Sequence, residues 1–223
     1  ETEETYYDGI KFLMDNNVKT QTYTLMLIVG TELGRDESAR VNEIKAKFRI
    51  LPKQFGQYNG ERVFEIEKVC VGTKTMSYQS YLNCRNYSFI VKLLGQPVFT
   101  PIYKLIQKIG ISWYDFSRAV TKTVEDNSHK SKLKTLYDEF CYESHNELFE
   151  TEQEAKDFYS IEENYQMLMK GEMGENLLGK YSAKGLLFYN DVLGALFEVI
   201  RGEFKEHLDP KINLILESSE KWL

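Results

Sequence analysis

Few places in this 223-residue sequence combine residue types and spacing suited to chemistry. Gly30-Thr31-Glu32 closes an apolar run. At the carboxyl end of a strand, such a glycine lets backbone approach a ligand, and the carboxylate can hold hydroxyls or an amino group. An ordinary strand-to-helix turn is the competing reading. Cys141 and His145 lie four apart, on one helical face, where a thiolate–imidazolium pair or half of a metal site is conceivable, with packing as the alternative. Glu65 and Glu67 share one face of a strand, a placement that serves acid–base work or a solvent-facing edge equally well. The cysteines are few and far apart. Cys70, Cys84 and Cys141 lack the short paired spacings that build a zinc or iron–sulfur site. His129 and His207 complete no zinc pair. The chain also lacks a Gly-x-Gly-x-x-Gly loop, a Walker loop and a Gly-x-Ser-x-Gly elbow.

The elements that must position these residues change character near residue 75. Before it, helix and strand signals alternate. Tyr6, Ile10, Leu13 and Met14 sit three and four apart and predict a helix that stops at Asn16-Asn17. Thr20 to Val29 is rich in β-branched and aromatic residues and reads as a parallel strand buried on both faces. Asp36 is placed to cap a short helix through Val41 and Ile44 to Phe48. A short run from Phe48 to Leu51, closed by Pro52, and a longer one from Val63 to Val71 predict further strands, with Gly56 and Asn59-Gly60 in the loop between.

Beyond residue 75 helical periodicity dominates. Tyr78 to Leu93 ends at Gly95 and Pro97, Phe99 to Ile109 stops at Gly110, and Ser112 caps a helix holding Trp113, Phe116, Val120 and Val124. Leu133 to Leu148 follows. Thr151-x-x-Glu154 and Ser160-x-x-Glu163 have the form of capping boxes, the second helix stopping at Gly171. Leu186 to Phe204 makes a long apolar stripe, and Pro210 is expected to end that segment.

Composition narrows the partners. With 28 basic and 34 acidic residues the net charge is −6, and the isoelectric point near 5.3 argues against nucleic acid or an anionic membrane. No run reaches the ~18 apolar residues of a membrane span. Three sparse cysteines read as reduced thiols in a cytoplasmic setting. Residues 125 to 176 hold 14 acidic and 5 basic residues, a solvated helical face or a surface for a basic partner. The start at Glu1 and the acidic Glu1 to Asp8 are unlike a signal peptide, and the expectation is of a processed or cut end with further polypeptide upstream.

Several segments carry a family resemblance. The Tyr6 to Pro52 stretch includes Asp8-Gly-Ile-Lys-Phe-Leu-Met-Asp-Asn-Asn, the strand ending Val29-Gly-Thr-Glu and then Lys47-Phe-Arg-Ile-Leu-Pro. It resembles the later part of a radical S-adenosylmethionine barrel, most closely the branch with an N-terminal cobalamin-binding domain. Phe64-Glu-Ile-Glu-Lys-Val, Gly72-Thr-Lys-Thr-Met-Ser-Tyr-Gln-Ser-Tyr-Leu-Asn-Cys-Arg and the tail with Glu147-Leu-Phe-Glu-Thr are similar to its continuation. The resemblance implies an enzyme whose S-adenosylmethionine, beside a [4Fe–4S] cluster, yields an adenosyl radical or donates a methyl group, with cobalamin as a further cofactor of that branch. Gly30, Thr31 and Glu32 would contact S-adenosylmethionine, and Arg49 its carboxylate. The Cys-x-x-x-Cys-x-x-Cys triplet that holds the cluster is absent, as is an Asp-x-His-x-x-Gly cobalamin signature.

The resulting expectation is a mainly α chain with a small α/β part: residues 1–75 as the C-terminal part of a β/α barrel and 76–223 as a helical domain. It would be the C-terminal portion of a radical enzyme, inactive alone, binding neither cluster nor cofactor by itself. Its partners would be the missing N-terminal part of the same polypeptide and an unknown substrate, with dimerisation through exposed apolar surface left open. A non-catalytic helical protein-interaction module is the alternative. That module would bury its strands within the chain, whereas a truncated barrel would leave the Thr20 to Val29 strand with exposed apolar surface.

Overall fold

The computed structural model describes residues 1–220. Its elements in chain order are α1 (Glu3–Asp15), α2 (Asp36–Val41), β1 (Lys45–Tyr58), β2 (Glu61–Gly72), α3 (Tyr78–Leu94), α4 (Thr100–Lys108), α5 (Trp113–Glu125), α6 (Lys132–Asn146), α7 (Glu152–Ser160), α8 (Glu162–Met169), α9 (Leu177–Leu187), α10 (Tyr189–Glu203) and α11 (Pro210–Glu220). The class matches the sequence reading: mainly α with a small α/β part, its named sheet a single antiparallel pair. The residues group into two compact units that alternate along the chain.

The first unit takes Glu1–Glu3, Tyr23–Arg85 and Cys141–Lys180. β1 and β2 form a hairpin whose Asn59-Gly60 turn has φ of 49° and 86°, the doubly left-handed turn that matches the twist of the strands. Pro52 does not close β1. The register runs from Ile50↔Ile66 to Phe55↔Phe64, so the residues around Pro52 are accommodated as a bulge in which Lys53 has φ of 63°. Ile50 and Phe64 from one stretch of the hairpin pack with Tyr159 of α7 and with Tyr165 and Leu168 of α8. Val69 and Val71 pack instead with Tyr81 and Leu148. Gly174 is fixed by this packing, since a Cβ there would lie 2.4 Å from Leu168 Cδ2 and its φ is 70°.

The Thr20 to Val29 expectation needs correction. The segment is extended, but it forms one antiparallel bridge, Met26↔Val69, in place of a parallel strand, and most of its apolar side chains are exposed. Leu27 is the one large apolar side chain in it that is buried. The opposite edge of the hairpin is bridged by Phe149, whose amide donates to Phe48 O at 2.7 Å while Phe48 N–H donates to Phe149 O at 2.9 Å.

Helix punctuation follows the sequence at several points and departs from it at others. Ser112 Oγ accepts from Asp115 N–H at 3.0 Å, and Thr151 Oγ1 accepts from Glu154 N–H at 3.1 Å, as their capping patterns predict. Ser160 is no cap. Its hydroxyl donates back to Lys156 O at 2.7 Å, because α7 runs through Ser160 and α8 starts only after Ile161. Pro210 opens α11, where a missing N–H costs no helical bond, and does not end a helix. The Leu186 to Phe204 stripe is divided by Phe188 between α9 and α10.

The second unit takes Glu4–Thr22, Asn86–Phe140 and the chain from Tyr181. Its centre is aromatic. Phe89 stacks on Phe140 with ring centroids 4.9 Å apart, and Tyr181 meets both edge-on. Beside it, Tyr87 packs with Ile10, Met14 and Val91, shares a 2.7 Å hydroxyl bond with Ser117, and faces the Arg118 guanidinium. Phe89→Ala is expected to cost about 3–5 kcal/mol in urea unfolding, the range for a buried aromatic truncated to a methyl. Burial holds the Tyr87 phenol well above its ordinary value, with the Ser117 bond acting against it. Its stabilising effect is therefore complete below about pH 10, where the unfolded phenol begins to ionise, and declines as pH rises further. Urea midpoints followed from pH 8 to pH 11 should accordingly fall less steeply in Tyr87→Phe than in the parent.

Candidate functional site

Gly30, Thr31 and Glu32 lie in the turn between the extended segment and α2, and all are exposed. Gly30 has φ of 88°, a conformation that disfavours any side chain, and nothing stands within 4 Å of where a Cβ would be. The Thr31 hydroxyl donates to Ile28 O at 2.7 Å and accepts from Gly34 N–H at 3.2 Å, which holds the turn closed. Gly34, whose loop position alone is legible in the sequence, is the sterically obligatory residue here. A Cβ on it would meet Ile28 O at 2.2 Å. The turn therefore offers an open backbone at Gly30 and a solvent-facing carboxylate at Glu32.

Arg49 sits in a different setting. It projects from β1 into an array of charge in the first unit, where its Nε donates to Glu67 of β2 and its NH1 donates to Glu147 at 2.9 Å. Arg85 of α3 joins the same carboxylate through NH2 at 2.5 Å and donates from NH1 to Thr24 Oγ1 at 3.1 Å. Arg85 is 6 % exposed and Arg49 15 %, so water screens these charges little. Burial works to lower the affinity of Arg49 for its proton, yet the carboxylates of Glu147 and Glu67 together outweigh it and raise the guanidinium above its ordinary range. Tyr81 packs nearby. Burial raises its phenol, while Arg85 and Arg49 act in the opposite sense.

A ligand carboxylate seeking Arg49 would have to displace Glu67 or Glu147, whose geometry is already that of a paired buried cation. Arg49 thus works as the junction of β1, β2 and the chain after α6. The Glu65–Glu67 pair divides in the same way, with Glu67 drawn into the array and Glu65 left exposed. What makes this array invisible in sequence is distance: 98 residues separate Arg49 from Glu147, and 62 separate Arg85 from it.

Cys141 and His145 share a helical face as expected. His145 Nδ1 nevertheless has its hydrogen bond with Tyr78 OH, at 3.2 Å, and Tyr78 stacks on Tyr81. Burial raises the Cys70 thiol, which makes it a poorer nucleophile. Among the described residues no group of three or more His, Cys, Asp or Glu side chains is arranged to hold a metal ion, and no single helix is long and apolar enough to cross a membrane.

The acidic stretch is largely occupied with local work. Glu152 and Glu154 lie in the first turn of α7, Glu162 and Glu163 in that of α8, where carboxylates complement the helix dipole. Glu162 also takes Arg62, which holds its carboxyl below the usual range, and Glu143 accepts from Lys180 at 2.7 Å.

Removing one partner of the array should be far more damaging than removing a complementary pair. Glu147→Ala, which leaves two guanidinium groups short of a carboxylate, is expected to cost about 3–5 kcal/mol in urea unfolding. In a double-mutant cycle with Arg85→Met, the paired change should be milder than the sum of the two single ones. Compared with known proteins, the chain matches no family model and no curated protein.

Proposed function

We propose that this chain is the carboxyl-terminal portion of a radical S-adenosylmethionine enzyme, and that its Tyr23–Val29 border is covered by strands from the preceding part of the polypeptide. The observation that supports this reading is the border itself. Leu27 N–H donates to Lys68 O at 2.8 Å and Cys70 N–H to Leu25 O at 2.9 Å, so strand alternation directs the Met26 N–H and C=O away from β2. Along the same segment Tyr23 is 80 % exposed and Val29 96 %, with Leu25, Met26 and Ile28 also exposed. A mostly apolar exposed segment whose central backbone groups turn away from β2 is a surface prepared for another strand. A self-sufficient interaction module would bury it.

In this reading Gly30 and Glu32, at the end of that border, meet S-adenosylmethionine. Glu32 receives ribose hydroxyls or the amino group, Gly30 admits close backbone approach, and Thr31 keeps the turn in shape. When bound beside a reduced [4Fe–4S] cluster, S-adenosylmethionine supplies an adenosyl radical or a methyl group. The cluster cysteines and any cobalamin domain belong to the preceding polypeptide. This chain contributes binding, orientation and exclusion of water. Arg49 enters as the residue that secures the sheet behind the turn and not as a ligand contact.

Light scattering on the chain alone should show self-association that rises with concentration and is relieved by Tyr23→Lys with Val29→Lys. A clean monomer that takes up no apolar dye would favour the interaction module. Anaerobic iron and sulfide reconstitution should leave this chain without a stoichiometric cluster, and a brown four-iron cluster on it would overturn the assignment. In a longer polypeptide carrying the cysteine triplet, Glu32→Gln should weaken S-adenosylmethionine binding about tenfold, the scale of a lost charge-assisted hydrogen bond.

A further inference from the structure

The second unit contains a groove of about 570 Å³ between the end of α1 and the chain leaving it, the end of α3, and the starts of α4 and α5. That volume lies in the range of small-molecule sites. Its apolar wall includes Met14 and Trp113, and Trp113 is steadied by an edge-on contact with the Tyr103 ring at 5.2 Å. The polar part of the lining is one-sided. Lys19 and Lys92 both border the groove, no Asp or Glu does, and neither lysine has an ion-pair partner among the described residues.

A third donor follows from hydrogen-bond bookkeeping. Gln107 Nε2 donates to the Tyr103 oxygen at 2.8 Å, so the Tyr103 proton goes to Asn17 Oδ1 at 2.6 Å. That bond fixes which end of the Asn17 amide faces Tyr103 and leaves its N–H groups as donors. Asn17 itself is held at φ of 56°, a left-handed position that asparagine tolerates and that ends α1 at the rim. Two ammonium groups and an amide donor beside an aromatic and thioether wall, with no carboxylate among them, select for one chemical class. In a chain of net charge −6, such a patch is a local reversal of sign.

We propose that this groove binds an amphipathic organic anion, a carboxylate attached to an aromatic or aliphatic body, with the head at Lys19, Lys92 and Asn17 and the body on Trp113 and Met14. The site is independent of the radical-enzyme reading, since it shares no residue with the Tyr23–Val29 border or the Gly30–Glu32 turn.

The probe is 2-naphthoate, read by quenching of Trp113 fluorescence in a Trp222→Phe background, with neutral 2-naphthamide as the matched control. Naphthoate should quench saturably, and naphthamide should bind at least about tenfold more weakly. Lys92 lies in the last turn of α3, where its charge also suits the helix end, so Lys19→Glu, outside any helix, is the sharper arm. Each charge reversal should weaken naphthoate by about fivefold or more and leave naphthamide unchanged, while Lys122→Glu, which lies outside the groove, alters neither. Equal affinity for the two probes, insensitivity to both reversals, or no saturation up to about 10 mM would overturn the proposal.

Discussion

Arg49, Glu67, Glu147 and Arg85 balance one another's charge where solvent reaches them poorly, and the first unit is organised around that balance. An isolated guanidinium in such a place would be strongly disfavoured. Here each cation has a carboxylate, and Glu147 serves both. The array ties β1 to β2, and both to α3 and to the chain leaving α6. Thr24 is attached through Arg85, so the extended border segment is anchored to the same array. On either side of it the hairpin makes separate apolar clusters, one with α7 and α8 and one with Tyr81 and Leu148.

Local physics was readable in the sequence wherever a residue answers to its neighbours. The α1 stop at Asn17, the caps at Ser112 and Thr151, the Gly110 and Gly171 stops and the Asn59-Gly60 turn all depend on two to four adjacent residues. Ser160 and Pro210 escape a local reading for a related reason. A hydroxyl that bonds backward and a proline that starts a helix look the same in sequence as a cap and a terminator. The Thr20 to Val29 run misled at a higher level. β-branched content predicts an extended backbone, which it has, but not whether partners exist to bury it. Arg49 was singled out from sequence and does sit in a charged site, while its actual partners were out of reach because they arise from residues 67 and 147. The groove in the second unit had no sequence signal, since its cations, amide and indole come from separate stretches.

The two proposed contact places differ in kind. The border and the Gly30 turn present exposed backbone and apolar surface, for which a further strand is proposed. The groove presents donors over an aromatic floor, suited to a small anion. Each lies within one unit, so each is defined by contacts that unit supplies alone.

The bulge around Pro52 also shapes how the hairpin meets other chains. Proline has no amide hydrogen, and Lys53 beside it is turned left-handed, so the outer margin of β1 cannot offer an unbroken ladder to an incoming chain. Phe149 already fills the inner stretch of that margin. Runaway fibril-type stacking along β1 is thereby discouraged.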